Sequence, residues 1–207
     1  QYVQNIFKKE LIYLFLFSKE KNNKFYIEEN IKLEKIFLFH SRNYNCLNIQ
    51  SGIEEIVNKI KKINPEIILA NSSSLGRLIM PILSVRLGTG LSADCTELKF
   101  EGGRLIQTRP AIGGNVNADI ITRTFPQMAT VRQRVYNHSG LKTKLCISEL
   151  IEMNLVSGNI ISAKTLINKK TFKNISYAKK VIGVGMGIRS RDNMKIIYIL
   201  LLFSLNL

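Results

Sequence analysis

The sequence predicts an α/β protein in which a parallel layer carries added antiparallel strands. Two observations predict the parallel layer. An amphipathic helix between Ser51 and Pro65 leads into the apolar segment Glu66–Ala70, and a second helical pattern follows that segment. Helices alternating with buried strands are typical of a parallel sheet covered by helices. A third observation, a series of short β-branched or alternating segments from Leu91 to Val135, predicts the antiparallel strands.

The first helix has signals at both ends. Ser51 and Glu54 have the spacing of a capping box, so the Ser51 hydroxyl is expected to accept a hydrogen bond from the Glu54 backbone N–H. Lysines near the C-terminal end suit the helix dipole, and Pro65 stops the helix. The apolar residues recur at helical spacing and share one face: Ile53, Ile56, Val57, Ile60 and Ile63.

Upstream of this helix the pattern is less regular. Residues 1–35 show no clean period, and their fold stays open. The apolar run Leu11–Phe17 faintly resembles a secretion signal but is followed by no small-residue cleavage site. Ile36–His40 is a short apolar run that predicts a buried strand, and His40 at its end is interpreted as structural.

The polar turn Asn71–Arg77 is rich in N-cap residues and opens the second helix. We expect this helix to be kinked near Pro81 and to end at Gly88. An exposed strand-to-helix turn is also a candidate anion site. Because the turn has neither a glycine-rich loop nor a Lys-Ser/Thr pair, helix capping is the favoured interpretation.

The extended segments that follow are separated by prolines and glycines, which predicts antiparallel strands. In the last segment, alternation would place Arg132 and Arg134 on one face. That face is either a solvated sheet surface or a docking face for a partner, and both alternatives remain open. The predicted segments are Leu91–Phe100, Arg104–Thr108, Val116–Thr124 and Met128–Val135.

Composition limits the functional classes. The net charge of +15 lies mainly in the C-terminal third, and no nucleic-acid-binding signature accompanies it, so a specific nucleic-acid partner is not expected. The cysteines Cys46, Cys95 and Cys146 form no CxxC pair, which favours buried free thiols in the cytoplasm. The apolar segment Ile196–Leu207 falls short of the roughly 20 residues that a spanning helix needs. We expect a core helix there and no stable membrane insertion.

Residues Asn137–Thr171 have little pattern and predict a linker, with a short helix around Ser148–Met153. Tyr177–Ile188 then predicts a strand running into a glycine-rich turn, and Ser190 or Asp192 is placed to cap a helix that begins near Asn193. Such a turn lets a phosphate or ring approach the backbone. The dinucleotide fingerprint is not met, and a plain connection between a strand and a helix stays the alternative.

No side chain in the sequence stands out as a general acid, base or nucleophile. His138 lies in a polar stretch beside Ser139 without a nearby acid to orient it.

Several motifs of the central block closely resemble the alpha subunit of electron transfer flavoproteins. The similarity is continuous over about 70 residues, and a looser match at Ala178–Lys195 is similar to the first strand, glycine turn and helix of that family's FAD-binding domain. The motifs are Ala70–Arg77, Thr89–Leu91 with Ala93–Thr96, Gln107–Ala111 with Gly113–Asn115, and Phe125–Arg132.

This resemblance implies an adenine-nucleotide-hydrolase-like α/β domain over residues 1–140, a linker over 141–174 and the start of an incomplete FAD-binding α/β domain over 175–207. It implies a heterodimer with a beta subunit that passes electrons via FAD between flavin dehydrogenases and a downstream acceptor. The surviving wall of the flavin site would be Gly185, Met186, Gly187, Ile188 and Arg189.

The chain departs from the family pattern in two ways. The family usually carries an arginine where Met186 stands, so we expect any flavin bound here to be harder to reduce than in relatives with the arginine. The family's later flavin-binding segments have no counterpart before Leu207, which predicts a truncated or divergent chain whose binding of FAD by itself is not expected. The alternatives are a non-redox subunit-docking module, a non-functional fragment, and a nonspecific anion or nucleic-acid binder.

Overall fold

A computed structural model describes residues 11–21, 26–28, 33–44, 48–111, 116–136, 142–144, 146–156 and 181–205. The chain divides into two units, residues 1–161 and 162–207. His138 and Cys46, considered above, lie outside the described residues.

The described residues of the first unit contain both strands and helices, and the predicted mixed α/β class is confirmed. The helices are α1 (Ile53–Ile63) and α2 (Ser74–Leu87). The strands are β1 (Tyr13–Ser18), β2 (Tyr26–Glu28), β3 (Lys35–His40), β4 (Ile67–Asn71), β5 (Leu91–Cys95), β6 (Glu97–Glu101), β7 (Arg104–Pro110), β8 (Asn117–Ile121), β9 (Gln127–Val131), β10 (Lys142–Lys144) and β11 (Glu149–Glu152).

A parallel sheet with strand order β4-β9-β5 lies at the centre of the first unit. The prediction that the segments of β5 and β9 are antiparallel is therefore wrong. The chain crosses from β4 to β5 through α2, and from β5 to β9 through three further strands, so each strand enters the sheet in the same direction. Those three strands form the antiparallel sheet β6-β7-β8, which confirms the prediction for that part.

A second parallel sheet has the order β1-β3-β11. Most of the apolar run Leu11–Phe17 belongs to β1, whose aromatic residues pack against those of β3. Phe15 lies opposite Phe37 with ring centroids 5.4 Å apart, and Phe17 lies opposite Phe39 at 5.3 Å. β2 and β10 form a separate antiparallel pair.

The short helix expected around Ser148–Met153 is wrong, since Glu149–Glu152 forms β11. The free edge of β3 decides the conformation of this segment. Ser148 donates its backbone N–H to the Ile36 carbonyl (2.9 Å), and Met153 donates to that of His40 (2.8 Å). These hydrogen bonds come from residues more than a hundred positions away, which local propensity does not record.

The apolar face predicted for α1 is confirmed, since Ile53, Ile56, Val57 and Ile60 are buried in the main core. The capping box is wrong. A short 3₁₀ turn, Ile49–Gly52, moves the helix start so that Gly52 holds the N-cap position. The Ser51 hydroxyl instead donates to the Asn48 carbonyl and accepts from the backbone N–H of Val156.

The ends of α2 agree with the sequence. Ser73 is the N-cap, and its hydroxyl accepts from the backbone N–H of Gly76 at 3.2 Å. Gly88 ends the helix with a left-handed φ of 66°. The residue that caps α2 is therefore Ser73, which directly precedes the first helical residue.

In the second unit, helix α3 (Met194–Leu205) begins next to the predicted position, and the Ser190 hydroxyl accepts from the backbone N–H of Asn193 (3.4 Å). Residues 181–185 contain no strand, whereas the sequence predicted one running into the turn; 177–180 lie outside the described residues. Ile196, Tyr198 and Ile199 are more than half exposed, so this part of α3 is not the core helix we expected. Within the described residues, none of the helices has the length and apolar character needed to cross a bilayer.

Candidate functional site

Polar side chains meet at the carboxyl edge of the parallel sheet. Asp94 lies near the end of β5, Arg132 directly follows β9, and Ser72 directly follows β4. We call Ser72, Arg77, Asp94, Thr130 and Arg132 the carboxyl-edge cluster. Parallel strands bring their carboxyl ends to one edge, and ligands of open α/β sheets commonly bind there.

Hydrogen bonds connect the members of the cluster. Arg132 donates to Oδ2 of Asp94 from Nη2 (2.7 Å) and from Nε (3.2 Å), and Arg77 Nη2 lies 3.5 Å from Oδ1. The Thr130 hydroxyl accepts from the backbone N–H of Asp94 (2.9 Å) and from the Ser72 hydroxyl (3.0 Å). The carboxylate is thus held by two cations.

Backbone geometry explains why Asp94 reaches Arg132. Asp94 has a left-handed φ of 61°, and the pairing of β5 with β9 shifts register between Ser92 and Cys95. Aspartate is among the few non-glycine residues that adopt this conformation readily. The irregular turn presents the carboxylate to the residue that follows β9.

The prediction that Arg132 and Arg134 share a strand face is wrong. β9 ends at Val131, and the backbone N–H of Arg132 donates to the Cys95 carbonyl (2.8 Å). Arg134 has a left-handed φ of 64°, so the alternation stops there. The ion pair with Asp94 takes Arg132 out of the expected pattern.

The surroundings of the carboxyl-edge cluster shift the pKa of Asp94 and that of the neighbouring Cys95 in opposite directions. The hydrogen bond from the Arg132 guanidinium lowers the pKa of Asp94, which keeps the carboxylate ionised. Burial raises the pKa of the neighbouring Cys95 thiol, a free cysteine, so that thiol is a poor nucleophile. The arrangement is suited to holding two strand ends together and to polar recognition, and it supplies no activated nucleophile.

Two glutamines from the central motifs are hydrogen-bonded in the interior: Gln127 joins the parallel sheet to the antiparallel one, and Gln107 links β7 to the end of β8 within the antiparallel sheet. Oε1 of Gln127, on β9, accepts from the backbone N–H of Leu105 on β7 at 2.8 Å. Nε2 of Gln107 donates to the Thr122 hydroxyl at 3.4 Å. Both glutamines are fully buried, and a small apolar core lies beside them: Cys95, Leu98, Leu105 and Ala129.

The predicted flavin-wall residues Gly185, Met186, Gly187, Ile188 and Arg189 form an open turn in the second unit. Met186–Ile188 is a 3₁₀ turn, and Arg189 has a φ of 63°. Met186 is 97% exposed. A Cβ added at Gly185 or Gly187 would meet no atom within 4 Å. The described residues therefore form no cradle around an isoalloxazine or a phosphate, and by themselves they do not fit FAD.

Other predicted residues take structural roles. His40 is buried, and its Nδ1 lies 3.3 Å from the Ser18 carbonyl, which confirms its structural interpretation. No group of three or more potential metal ligands occurs within the described part of the chain. Sequence reasoning missed the ion pair of Asp94 with Arg132, although both residues stand in the quoted motifs. They are 38 positions apart, and no local period relates them.

Fold and site together define an α/β domain in which a buried glutamine joins the parallel sheet to an antiparallel one, and a charged cluster links strand ends at the carboxyl edge of the parallel sheet. The family model for the electron transfer flavoprotein domain matches residues 32–146, more than half of the chain. The chain belongs to the electron transfer flavoprotein family, and the resemblance seen in its motifs is confirmed.

The curated relatives include proteins named electron transfer flavoprotein subunit alpha, FixB and LctC. The chain is 29% identical to the lactate dehydrogenase (NAD(+),ferredoxin) subunit LctC of Acetobacterium woodii, covering 80% of the chain and 41% of the relative. It is 35% identical to the protein FixB of Clostridium saccharobutylicum, covering 64% and 41%. It is 35% identical to the electron transfer flavoprotein subunit alpha of Thermoanaerobacterium thermosaccharolyticum, covering 75% and 48%. The chain thus spans less than half the length of each of these relatives.

Proposed function

We propose that this chain serves as an electron carrier subunit of the alpha type, passing electrons via FAD between flavin dehydrogenases and a downstream acceptor as a heterodimer with a beta subunit. The family match over residues 32–146 carries the proposal. The names of the relatives support it, since one is an electron transfer flavoprotein subunit alpha and another a subunit of a ferredoxin-linked dehydrogenase. The proposed compartment is the cytoplasm, which agrees with the free thiols of Cys95 and Cys146. The expectation of buried thiols holds for Cys95 but is wrong for Cys146, which is exposed.

The proposal assigns a different role to each of three segments of the chain. Residues 1–140 act as an adenine-nucleotide-hydrolase-like α/β domain, 141–174 as a linker and 175–207 as the start of an FAD-binding domain. The parallel sheet β4-β9-β5 with its helices supports the first assignment. β10 and β11 fall inside 141–174 and pair with β2 and β3, so this part of the linker is anchored to the first unit.

Gly185–Arg189 is proposed as one wall of the flavin site. The open turn supports contact on one side only, because its glycines face empty space and Met186 is exposed. Further protein surface must complete the site, and we propose that the heterodimer supplies it. When bound, FAD supplies the redox chemistry, and the role of these five residues is to leave the backbone accessible to it.

The absorption spectrum of the purified chain, alone and after coexpression with a beta subunit, tests this function. We expect a heterodimer with flavin absorbance and bound FAD near one per heterodimer, reducible by a flavin dehydrogenase. A Gly187→Glu variant is the matched control. A Cβ at this position meets no atom of the described residues within 4 Å, so the variant should preserve the heterodimer, while its carboxylate should displace the flavin.

The alternative is a subunit-docking module without a flavin, which the open turn at Met186 favours. A colourless heterodimer would contradict the proposed carrier and support this alternative. A Gly187→Glu variant that retains full flavin would instead contradict the placement of the flavin wall at Gly185–Arg189. Failure to form any heterodimer would contradict both.

A further inference from the structure

An open groove lies at the amino end of the parallel sheet, opposite the carboxyl-edge cluster. Its volume is about 460 Å³. The C-terminal turns of α1 and α2 form two walls, through Lys61 and Val85 respectively. Phe125 and Pro126, which precede β9, form a third. Neither the family match nor the proposed flavin wall assigns a role to this groove.

Two large apolar side chains stand exposed on facing walls. Val85 is 80% exposed although it belongs to α2, and Phe125 is 51% exposed. Single exposed apolar residues are ordinary, but two at the rim of one concave surface form a patch that another molecule can cover.

The charge around the groove identifies the kind of partner. Lys61 lines the groove, and the Arg104 guanidinium lies 5.3 Å from the centroid of the Phe125 ring while its Nη1 donates to the Arg123 carbonyl (3.1 Å). Within the described part of the chain, none of Lys61, Arg104 and Arg123 has a carboxylate within 4.0 Å.

The other charged groups near the groove only partly offset the positive charge of Lys61, Arg104 and Arg123. The groove's other cation, Arg86, is paired with Glu54 at 3.0 Å. Glu66 is exposed next to Pro65, and the carbonyl ends of α1 and α2 carry partial negative charge. Lys62, also exposed, adds a cation to the last turn of α1. Cations therefore outnumber carboxylates around an apolar rim.

We propose that this groove docks an acidic segment of a partner polypeptide, which inserts one large apolar side chain between Val85 and Phe125. The acidic residues of the segment pair with Lys61 in the groove lining, where charge complementarity mainly raises the association rate and selects the partner. The apolar anchor supplies most of the affinity, as buried anchors do in peptide recognition. This surface goes beyond the proposed carrier function and does not depend on flavin binding.

The test uses the full chain labelled with ¹⁵N and a synthetic peptide whose central phenylalanine is flanked by glutamates. We expect backbone amide resonances of residues 60–64, 85–88 and 123–125 to shift on titration. A peptide with lysines in place of the glutamates, and one with alanine in place of the phenylalanine, should bind about tenfold more weakly or not at all.

Paired variants locate the contact. Val85→Glu should weaken binding about tenfold, whereas Val116→Glu, at a valine that is 63% exposed but outside the groove, should leave it unchanged. Lys61→Glu should weaken binding more than Lys62→Glu, since only Lys61 lines the groove. If the glutamate peptide shifts no groove resonance, if the lysine peptide binds as well, or if both members of a pair respond equally, the proposal is wrong.

Discussion

Arg132 holds Asp94 through two hydrogen bonds to a single carboxylate oxygen, from Nη2 at 2.7 Å and from Nε at 3.2 Å. The pair joins the end of β5 to the end of β9 at the edge where parallel α/β sheets commonly bind ligands. Here the edge is closed by a salt bridge within the chain, so the pair serves first to hold the two strand ends.

The Asp94 pair predicts a pH-dependent contribution to stability. Because Arg132 lowers the pKa of Asp94 below its ordinary value of 3.8, the folded state binds this proton less readily than the unfolded state. The contribution is therefore present above pH 3.8 and is lost as pH falls through the lower, folded-state pKa.

Asp94→Asn tests this. Asparagine tolerates the left-handed φ of 61°, so the substitution removes charge without adding backbone strain. We expect a loss of up to about 1 kcal/mol near neutral pH, because the pair is partly exposed. In urea unfolding, the difference between the two proteins should shrink as pH falls below 3.8. A constant difference across that range would contradict the ion pair as its source, and Asp94→Ala should cost about 1 kcal/mol more through backbone strain.

Gly76 predicts a close backbone contact at the start of α2. A Cβ at this position would lie 2.0 Å from the Asn71 carbonyl oxygen, so helix and strand must separate to accommodate it. Gly76→Ala should lower the free energy of unfolding by about 2 kcal/mol or more. The matched control is Gly88→Ala, where a Cβ has open space and only the φ of 66° is unfavourable, at about 1 kcal/mol. Equal losses in the two variants would exclude the contact with Asn71.

The two buried glutamines predict unequal losses of stability. Gln127→Met removes the acceptor of the Leu105 N–H and leaves that buried donor unpaired, at a loss of roughly 1 to 3 kcal/mol. Gln107→Met removes only the weaker bond to the Thr122 hydroxyl and leaves no backbone N–H unpaired, so its loss should stay under about 1 kcal/mol. Each substitution also removes one buried amide atom without a hydrogen-bond partner, Oε1 of Gln107 or Nε2 of Gln127, so this contribution does not distinguish the variants. Denaturant unfolding at one pH measures both. A larger loss for Gln107→Met would show that the hydrogen bonds are assigned incorrectly.

Met186 gives a prediction for the flavin-loaded heterodimer. An arginine at this position would place a cation beside the proposed flavin wall and favour the reduced, anionic flavin. Met186→Arg should therefore raise the midpoint potential measured by potentiometry. Because Met186 is 97% exposed, the substitution should not disturb the fold. Val181→Arg, at an exposed residue five positions earlier, is the control and should leave the potential nearly unchanged. An unchanged or lower potential in Met186→Arg would refute the role of this position.

Local patterns were sufficient for the elements whose conformation is decided within a few residues. The apolar face of α1, the Ser73 cap and Gly88 end of α2, and the strand Ile36–His40 all follow from spacing, hydroxyl placement or short apolar runs. The sequence motifs of the central block were also sufficient to identify the family. These features depend on side-chain type and local backbone preference, which the sequence states directly.

Tertiary contacts decided the rest. Glu149–Glu152 is a strand because β3 offers a free edge, and Leu91–Cys95 is parallel to β9 because the crossovers return the chain in one direction. Arg132 leaves its expected alternation because the carboxylate of Asp94, 38 positions away, stabilises it outside the strand. Hydrogen bonds across such separations depend on which segments the fold brings together, and no local period encodes that choice. The sequence by itself therefore determined the family and the local elements, while strand direction, the charged edge and the groove between α1, α2 and Phe125 required the three-dimensional structure.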